Sequence, residues 1–371
     1  MSYDAITIDT NIALEFNLNF ESGMLSQLFQ FRSGAVAFVI SEVVEREIKR
    51  RLVANTAKAR DQVRKAAQRA NQYQLLLEAQ LQELSGIVEK LEDPEEVAAA
   101  RLGTFLKQTD AEIIPAEQIK LATLLDYYFS ATPPFEPSGA KKSEFPDAIA
   151  LISLDDWANK LDMRILAVSK DAGWSRFAEA SERIDVIPEL KDALATLQGH
   201  HDKAKALLAT LLGFVGARTG IEASFREHLD LAVSTLSALG EGDADLHAEA
   251  ELVEFSLSDY SLIGKESVVE FTIVQIGETR IVAEVPLEIT AEASTDFSLS
   301  TWDSVDREYV TLGTASARKD IDFTVAALVT FEGDLEGDPE DIVVSELELV
   351  DPPSHVDFGY IEFDSGEDIP D

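Results

Sequence analysis

The chain has 371 residues, 46% of them apolar, and its 69 Asp and Glu against 31 Lys and Arg give a net charge of −38. This apolar fraction excludes wholesale disorder, and the length predicts two or more domains. No segment approaches the roughly 18 apolar residues that cross a bilayer, the first residues lack the pattern of a signal peptide, and the absence of cysteine excludes disulfides and thiolate metal sites. We therefore expect a cytoplasmic protein with no membrane partner.

Residues 1–195 alternate between strand-like and helical segments, a pattern that is typical of a parallel α/β sheet. The segment DAIALISLDDWANKL is apolar on nearly every side, which indicates a buried helix. The predicted strands are Ala5–Ile8, Gly34–Ser41, Arg164–Ser169 and Ile184–Ile187. The fold class we expect for this part of the chain is therefore α/β with a parallel sheet.

A long segment at about 53–130 interrupts the α/β pattern and is almost free of Gly and Pro. It is rich in Ala, Gln, Leu, Lys, Arg and Glu, which are good helix formers. We therefore predict a helical insertion, from which the proline-rich loop ATPPFEPSGAKKSEFP returns the chain to the α/β core.

The last part of the chain changes both its pattern and its charge. Helical patterns at 196–240 predict a connector, and GEGDAD at 240–245 is interpreted as a boundary. Apolar residues alternate with polar ones over 246–350, which predicts a smaller antiparallel β domain, and we expect the acidic tail at 351–371 to fray. Residues 241–371 hold 34 Asp and Glu against 5 Lys and Arg, a net charge of −29 that favours solubility and repels nucleic acid.

Four acids stand where strands end or helices begin. Asp9 and Asp171 follow predicted strands, and Asp147 lies in the first turn of the buried helix. Helix capping and turn chemistry explain these three aspartates without any function. The fourth acid, Glu47, lies about 65° from the centre of an apolar helical stripe, where a carboxylate needs a metal or a basic side chain as its partner.

Taken together, the four acids come from four separate segments at the carboxyl edge of the predicted sheet, which is where parallel α/β proteins bind ligands. Carboxylates that lie close together repel and raise one another's pKa, and a hard divalent cation such as Mg²⁺ or Mn²⁺ resolves that conflict. The chemistry that follows is the hydrolysis of phosphodiester bonds by metal-activated water.

Four short motifs occur in the order found in a known family. They are IDTN, then S-x5-E-I from Ser41 to Ile48, then FPDAIAL, then AVSKDAGW. This order resembles the PIN-domain nucleases, most closely a bacterial group with long insertions and a C-terminal extension, and the resemblance covers residues 1–190 outside the insertion. The last motif ends in Trp174, where many relatives have Phe, and we interpret this departure as conservative.

The resemblance implies a PIN-like fold and a catalytic centre that binds Mg²⁺ or Mn²⁺. The metal ligands and catalytic residues that it implies are Asp9, Glu47, Asp147 and Asp171. The residues that would support this centre are Thr10, Asn11 and Ser169. The long insertion sets this chain apart from the compact toxin-type members.

A basic stretch follows Glu47 on the same predicted helix. Residues 46–69 hold nine Lys and Arg against two acids, a charge that a phosphodiester substrate requires beside an anionic site. The residues that we expect to contact phosphate are Arg46, Lys49, Arg50 and Lys142. A solvated helix surface and a plain loop are the alternative interpretations, and aromatic residues for base stacking are few.

We therefore predict a metal-dependent nuclease, with RNA favoured over DNA. One alternative is a catalytically weak PIN-like module that binds nucleic acid or a protein partner in a regulatory or defence assembly, and another is a scaffold built on the insertion and the β domain. The acidic β domain could shield the basic helix from nucleic acid or dock a protein partner. Long Leu- and Ala-rich helices leave room for a homodimer.

Overall fold

The computed structural model describes residues 3–32, 34–135, 144–198, 202–215, 220–265, 268–305 and 307–362. The chain forms two compact units, Met1–Leu197 and Gln198–Asp371. Within the described ranges, no helix combines the length and the apolar composition needed to cross a lipid bilayer.

The first unit is an α/β structure. Its strands are β1 (Ala5–Ile8), β2 (Ala37–Ser41), β3 (Glu112–Ile114), β4 (Ile165–Val168) and β5 (Ile184–Ile187). Its helices are α1 (Thr10–Glu15), α2 (Gly23–Ser26), α3 (Glu42–Gln72), α4 (Glu78–Glu89), α5 (Pro94–Thr109), α6 (Leu121–Ser130), α7 (Phe145–Leu161), α8 (Ala172–Ala180) and α9 (Leu190–Gln198). All five strands run parallel in the order β3-β2-β1-β4-β5, which confirms the predicted α/β class.

The central strands are buried along their whole length. Every residue of β1 and β4 is buried, as expected where helices cover both faces of a parallel sheet. The first half of α7 is also buried, from Ala148 through Leu154 with the exception of Ile149. The predicted buried helix is therefore confirmed for that half.

The direction of strand addition reverses at β1. From there β2 and β3 extend the sheet on one side, and β4 and β5 extend it on the other. The carboxyl ends of β1 and β4 are therefore neighbours, with Ile8 paired to Val168. This is the topological switch point at which open α/β sheets bind ligands.

The segment predicted as a helical insertion is more closely built into the core than expected. It supplies β3, which pairs with β2 at the edge of the sheet. It also supplies Phe105 on α5, which is buried with its ring centroid 4.4 Å from that of Phe20 and 5.8 Å from that of Phe38. The segment is mainly helical, as predicted, but β3 was not predicted, because a strand of three residues is too short to give a periodic signal.

The second unit combines two helices with a β structure. The helices are α10 (Asp202–Phe214) and α11 (Gly220–Ser234). The strands are β6 (Leu239–Asp243), β7 (His247–Ala250), β8 (Glu254–Leu262), β9 (Gly264–Lys265), β10 (Val268–Val269), β11 (Thr272–Ile276), β12 (Arg280–Asp303), β13 (Glu308–Glu332), β14 (Val343–Val350) and β15 (His355–Tyr360). The long hairpin β12–β13 is flanked by β14 on one side and by β7, β8 and β11 on the other. These pairings are antiparallel, which confirms the predicted β domain.

The two helices pack on this sheet. Leu211 of α10 and Phe225 of α11 belong to the same buried cluster as Val285 and Val329 of the hairpin. The ring of Phe225 also stacks on Tyr260 of β8, with centroids 5.4 Å apart. Residues predicted as a connector therefore form one wall of the core of the second unit.

Two segments predicted to lie outside regular structure form strands. β6 overlaps the segment interpreted as a boundary, β15 lies within the predicted tail, and the two strands pair in parallel. Val356 is buried, and the ring of Phe358 meets Phe297 edge-on at 5.8 Å. The prediction that the tail frays is wrong as far as residue 362, because its apolar residues are packed, and 363–371 lies outside the described residues.

Candidate active site

Asp9 follows β1 and caps the N-terminus of α1. Its Oδ1 accepts a hydrogen bond of 2.5 Å from the backbone N–H of Thr10, and its own backbone N–H donates to the carbonyl of Val168 at 2.9 Å. Asp9 is only 5% exposed. The capping interpretation is thus correct in geometry, but capping does not explain why a carboxylate should be so thoroughly removed from water.

Ser169 links the two strands at the switch point. Its hydroxyl donates to Oδ2 of Asp9 at 2.7 Å and accepts from the backbone N–H of Asp171 at 3.0 Å. Ser169 is itself buried. One side chain therefore holds the second oxygen of Asp9 and the turn that carries Asp171.

Asp171 caps the N-terminus of α8 and is exposed. Its Oδ1 accepts from the backbone N–H groups of Gly173 at 2.5 Å and of Trp174 at 3.3 Å. A Cβ atom at Gly173 would lie 2.7 Å from Oδ1 of Asp171. Glycine therefore allows the carboxylate to fold over the start of its own helix.

Asp147 lies in the first turn of α7 and is half-buried. Its Oδ1 accepts a hydrogen bond of 3.1 Å from the indole Nε1–H of Trp174, which is fully buried on α8. This contact was not predicted from the sequence, where Trp in place of Phe was interpreted as conservative. The available signal was the indole N–H, which Phe lacks and which a buried Trp must satisfy.

Glu47 lies on α3 and is half-buried. Its Oε2 accepts a hydrogen bond of 2.8 Å from the hydroxyl of Thr10. Thr10 therefore holds two of the acids, since its backbone N–H contacts Asp9 and its side chain contacts Glu47.

Burial and repulsion shift the ionisation of Asp9. Its pKa is raised to about 7, mainly by burial and to a smaller extent by the nearby charges of Asp147 and Asp171. The hydrogen bonds from Ser169 and from the backbone of Thr10 act in the opposite direction. A carboxylate in this position is costly to ionise without a compensating positive charge.

Asp147 is shifted in the same direction. Burial raises its pKa to about 6, with repulsion from Asp171 and Glu47 contributing and the hydrogen bond from Trp174 opposing. The structure thus brings the four predicted acids into one electrostatically coupled group around the switch point.

The oxygen atoms of this group suit a hard divalent cation. Within the described part of the chain, Oε1 of Glu47, Oδ2 of Asp147 and Oδ2 of Asp171 accept no hydrogen bond. On α1, Oδ1 of Asn11 is buried and also has no partner. Carboxylate and amide oxygens are the ligands that Mg²⁺ and Mn²⁺ prefer. The chemistry of these donors therefore fits such a cation. In their present geometry, however, no three His, Cys, Asp or Glu side chains among the described residues form a group that could hold a metal ion.

Comparison with known proteins identifies this fold. Residues 6–174, which include all four acids, match the family model described as PIN domain. These residues form a PIN domain. PIN domains are in general nucleases and typically use divalent metal ions, so nucleolytic activity is the class of chemistry associated with this fold. No curated protein and no solved structure gives a significant match.

The predicted phosphate-binding residues of the PIN domain have different surroundings. Lys49 and Arg50 are exposed on α3 and form no ion pair with any described residue. Arg46 is exposed but forms an ion pair with Glu42 on the same helix. Lys142 lies outside the described residues. The two unpaired bases are therefore the better placed candidates for contact with a phosphate.

Proposed function

We propose that the PIN domain hydrolyses phosphodiester bonds of single-stranded RNA, with Mg²⁺ or Mn²⁺ bound by Asp9, Glu47, Asp147 and Asp171. The observation that carries the proposal is the gathering of these acids at the switch point, where burial, with a smaller contribution from their mutual repulsion, raises the pKa of Asp9 to about 7 and that of Asp147 to about 6. Repulsion of this kind lowers stability unless a cation compensates it. Its presence at the ligand-binding edge of a PIN domain supports a metal-dependent function.

When bound, the cation would supply a Lewis acid and a water molecule of lowered pKa. The chain itself would keep the acids ionised and oriented. Ser169 and Thr10 do this for Asp9, because hydrogen bonds donated to the carboxylate favour its charged form. Thr10 also occupies one oxygen of Glu47 and leaves the other oxygen available.

The exposed bases of α3 support a nucleic-acid substrate. Lys49 and Arg50 follow Glu47 closely on the helix and carry charge that no described acid neutralises. Exposed cations on the helix that carries Glu47 suit backbone phosphates, whose contact is independent of base sequence. We therefore propose that the enzyme tolerates many sequences.

Cleavage of labelled RNA tests the proposal. Wild type, Asp147→Asn and a control, Asp156→Asn, would be incubated with single-stranded RNA, and with DNA of the same sequence, in Mn²⁺, Mg²⁺ or EDTA. Asp156 lies on the same helix as Asp147, so the control matches the substitution without touching the coupled acids. We expect metal-dependent cleavage by wild type and by the control, its loss in Asp147→Asn, and faster cleavage of RNA than of DNA.

A second candidate is a catalytically weak module that binds nucleic acid or a protein partner. The observation that favours it is that the described acids do not, as they stand, form a group that could hold a metal ion. Equal background cleavage by wild type and Asp147→Asn, together with RNA binding that does not depend on metal, would support this candidate and contradict the nuclease proposal.

A further inference from the structure

We infer that Trp174 is a positioning residue of the proposed metal centre, which holds Asp147 and Asp171 in a fixed relation to each other. The inference rests on the proposed function, since it concerns two of the four proposed ligands. The two acids lie on different helices, at the start of α7 and just before α8. Trp174 contacts both of them.

Two separate groups of Trp174 make these contacts. Its indole Nε1–H donates to Oδ1 of Asp147 at 3.1 Å, and its backbone N–H donates to Oδ1 of Asp171 at 3.3 Å. The backbone group is fixed by helix α8, and the indole is fully buried. A Trp side chain has only two rotatable bonds, and close packing restricts both. One rigid residue therefore sets where one oxygen of each acid lies.

The indole contact does more than fill space. Phe would bury a comparable apolar ring without an N–H, and a buried N–H can be satisfied by a neutral backbone carbonyl. Here the acceptor is a carboxylate, and a hydrogen bond to an ionised group is roughly twice as strong as one between neutral groups. The bond therefore fixes the orientation of the Asp147 carboxylate as well as filling space.

The bond also selects which oxygen remains available. It occupies Oδ1 of Asp147, and the backbone bonds at the start of α8 occupy Oδ1 of Asp171. No described residue donates to Oδ2 of either acid. Trp174 thus leaves one oxygen of each acid for the cation while it holds the other.

Manganese affinity tests the inference without relying on activity. Mn²⁺ binding to the full chain would be measured by calorimetry and by electron paramagnetic resonance for wild type, Trp174→Phe and a control, Trp157→Phe. Trp157 is a matched control because its indole also donates to a carboxylate, Oε1 of Glu112, at 2.9 Å. We expect Mn²⁺ binding to weaken about 10-fold to 100-fold in Trp174→Phe, the usual cost of losing a group that orients a metal ligand. Trp157→Phe should bind as wild type does.

A second replacement separates the N–H from the ring. Benzothienylalanine at position 174 keeps the bicyclic shape and has sulfur in place of the N–H, so it should weaken Mn²⁺ binding as Trp174→Phe does while the thermal midpoint stays near that of wild type. Wild-type affinity with benzothienylalanine would overturn the inference, even if Trp174→Phe fails to fold. Wild-type protein that neither binds Mn²⁺ nor cleaves RNA would overturn the proposed function itself. A third outcome would overturn the inference but leave the proposed function standing. In it, Asp147→Asn loses both cleavage and Mn²⁺ binding, whereas both replacements of Trp174 leave them unchanged.

Discussion

Replacement of Asp9 by Asn is expected to stabilise the metal-free protein at alkaline pH. The pKa of Asp9 is raised from 3.8 to about 7, so the folded state retains a proton that the unfolded state releases between these values. The unfolded state therefore binds fewer protons in this range, and the free energy of unfolding falls as the pH rises from about 4 to about 7. Asn at position 9 removes this loss because it carries no charge.

The size of the effect follows from the same pKa values. With each pH unit worth about 1.4 kcal/mol, the penalty carried by Asp9 is about 1–2 kcal/mol at pH 5 and at most about 4 kcal/mol at pH 8. The gain in Asp9→Asn is smaller than this maximum, since the single amide oxygen of Asn can accept from Thr10 or from Ser169 but not from both, whereas the two oxygens of Asp9 accept one bond each. We expect a gain of about 2–4 kcal/mol at pH 8 and little gain at pH 4.

Urea unfolding in EDTA would measure this difference. Wild type and Asp9→Asn would both carry Trp302→Phe, so that the remaining tryptophans are Trp157 and Trp174. Both lie in the first unit, and tryptophan fluorescence therefore reports the unfolding of that unit. Mn²⁺ at 1,000 times its Kd should remove or reverse this difference at pH 8, because it stabilises the folded wild type by about 4.1 kcal/mol. The reasoning is refuted if Asp9→Asn is no more stable than wild type at pH 8 in EDTA, or if its gain is the same at pH 5 and pH 8.

Three further substitutions test separate parts of the structure. Thr10→Val keeps the backbone cap on Asp9 but removes the bond to Glu47, so calorimetry should show Mn²⁺ binding about 10-fold weaker; unchanged affinity would contradict this role. Phe105→Ala should lower the free energy of unfolding, measured in urea, by about 3–5 kcal/mol because it leaves a cavity between α5 and the sheet. A loss below about 1 kcal/mol would mean that the packing of α5 contributes little to the stability of the core. Lys49→Glu combined with Arg50→Glu, in the Asp147→Asn background, should weaken the binding of single-stranded RNA. The slope of log binding constant against log salt concentration should fall in magnitude by about 1.4 for two lost phosphate contacts. An unchanged slope would show that these bases contact no phosphate.

The sheet of the first unit could be predicted largely from local pattern. β1, β2, β4 and β5 are short apolar runs followed by helical segments, and a parallel sheet covered on both faces produces this sequence signature. β3 could not be found in this way. Its three residues, EII, stand in a segment whose composition favours helix, and they become a strand only because β2 offers an edge for pairing.

The strand at the end of the second unit was missed for a different reason. Acidic composition suggested fraying, yet HVDFGY places Val356 and Phe358 two residues apart, which is the spacing of one face of a strand. The alternation was therefore present in the sequence. A net charge describes how a surface meets solvent, and it does not decide whether the apolar residues between the charges are packed.

The acids of the candidate site could be chosen from their positions, but the bonds that hold them could not. Thr10 and Glu47 are 37 residues apart in sequence, and Trp174 and Asp147 are 27 apart. These pairs meet because α1 contacts α3 and because α7 contacts α8, and such helix packing depends on the whole core. Local pattern therefore locates the charges, whereas tertiary packing determines their hydrogen bonds and their pKa values.

Capping and metal binding began as competing explanations for the aspartates, but the geometry makes them compatible. Asp171 uses Oδ1 to cap α8, and no described residue donates to its Oδ2. Asp9 likewise caps α1, where the N–H groups and the positive end of the helix dipole favour an ionised carboxylate. Each cap therefore lowers the free-energy cost of keeping an acid charged at the switch point. The repulsion that remains among the charged acids favours the binding of a cation, which would relieve it. In Asp171, one side chain thus serves both folding and the proposed chemistry, because Oδ1 caps the helix and Oδ2 is left for a cation.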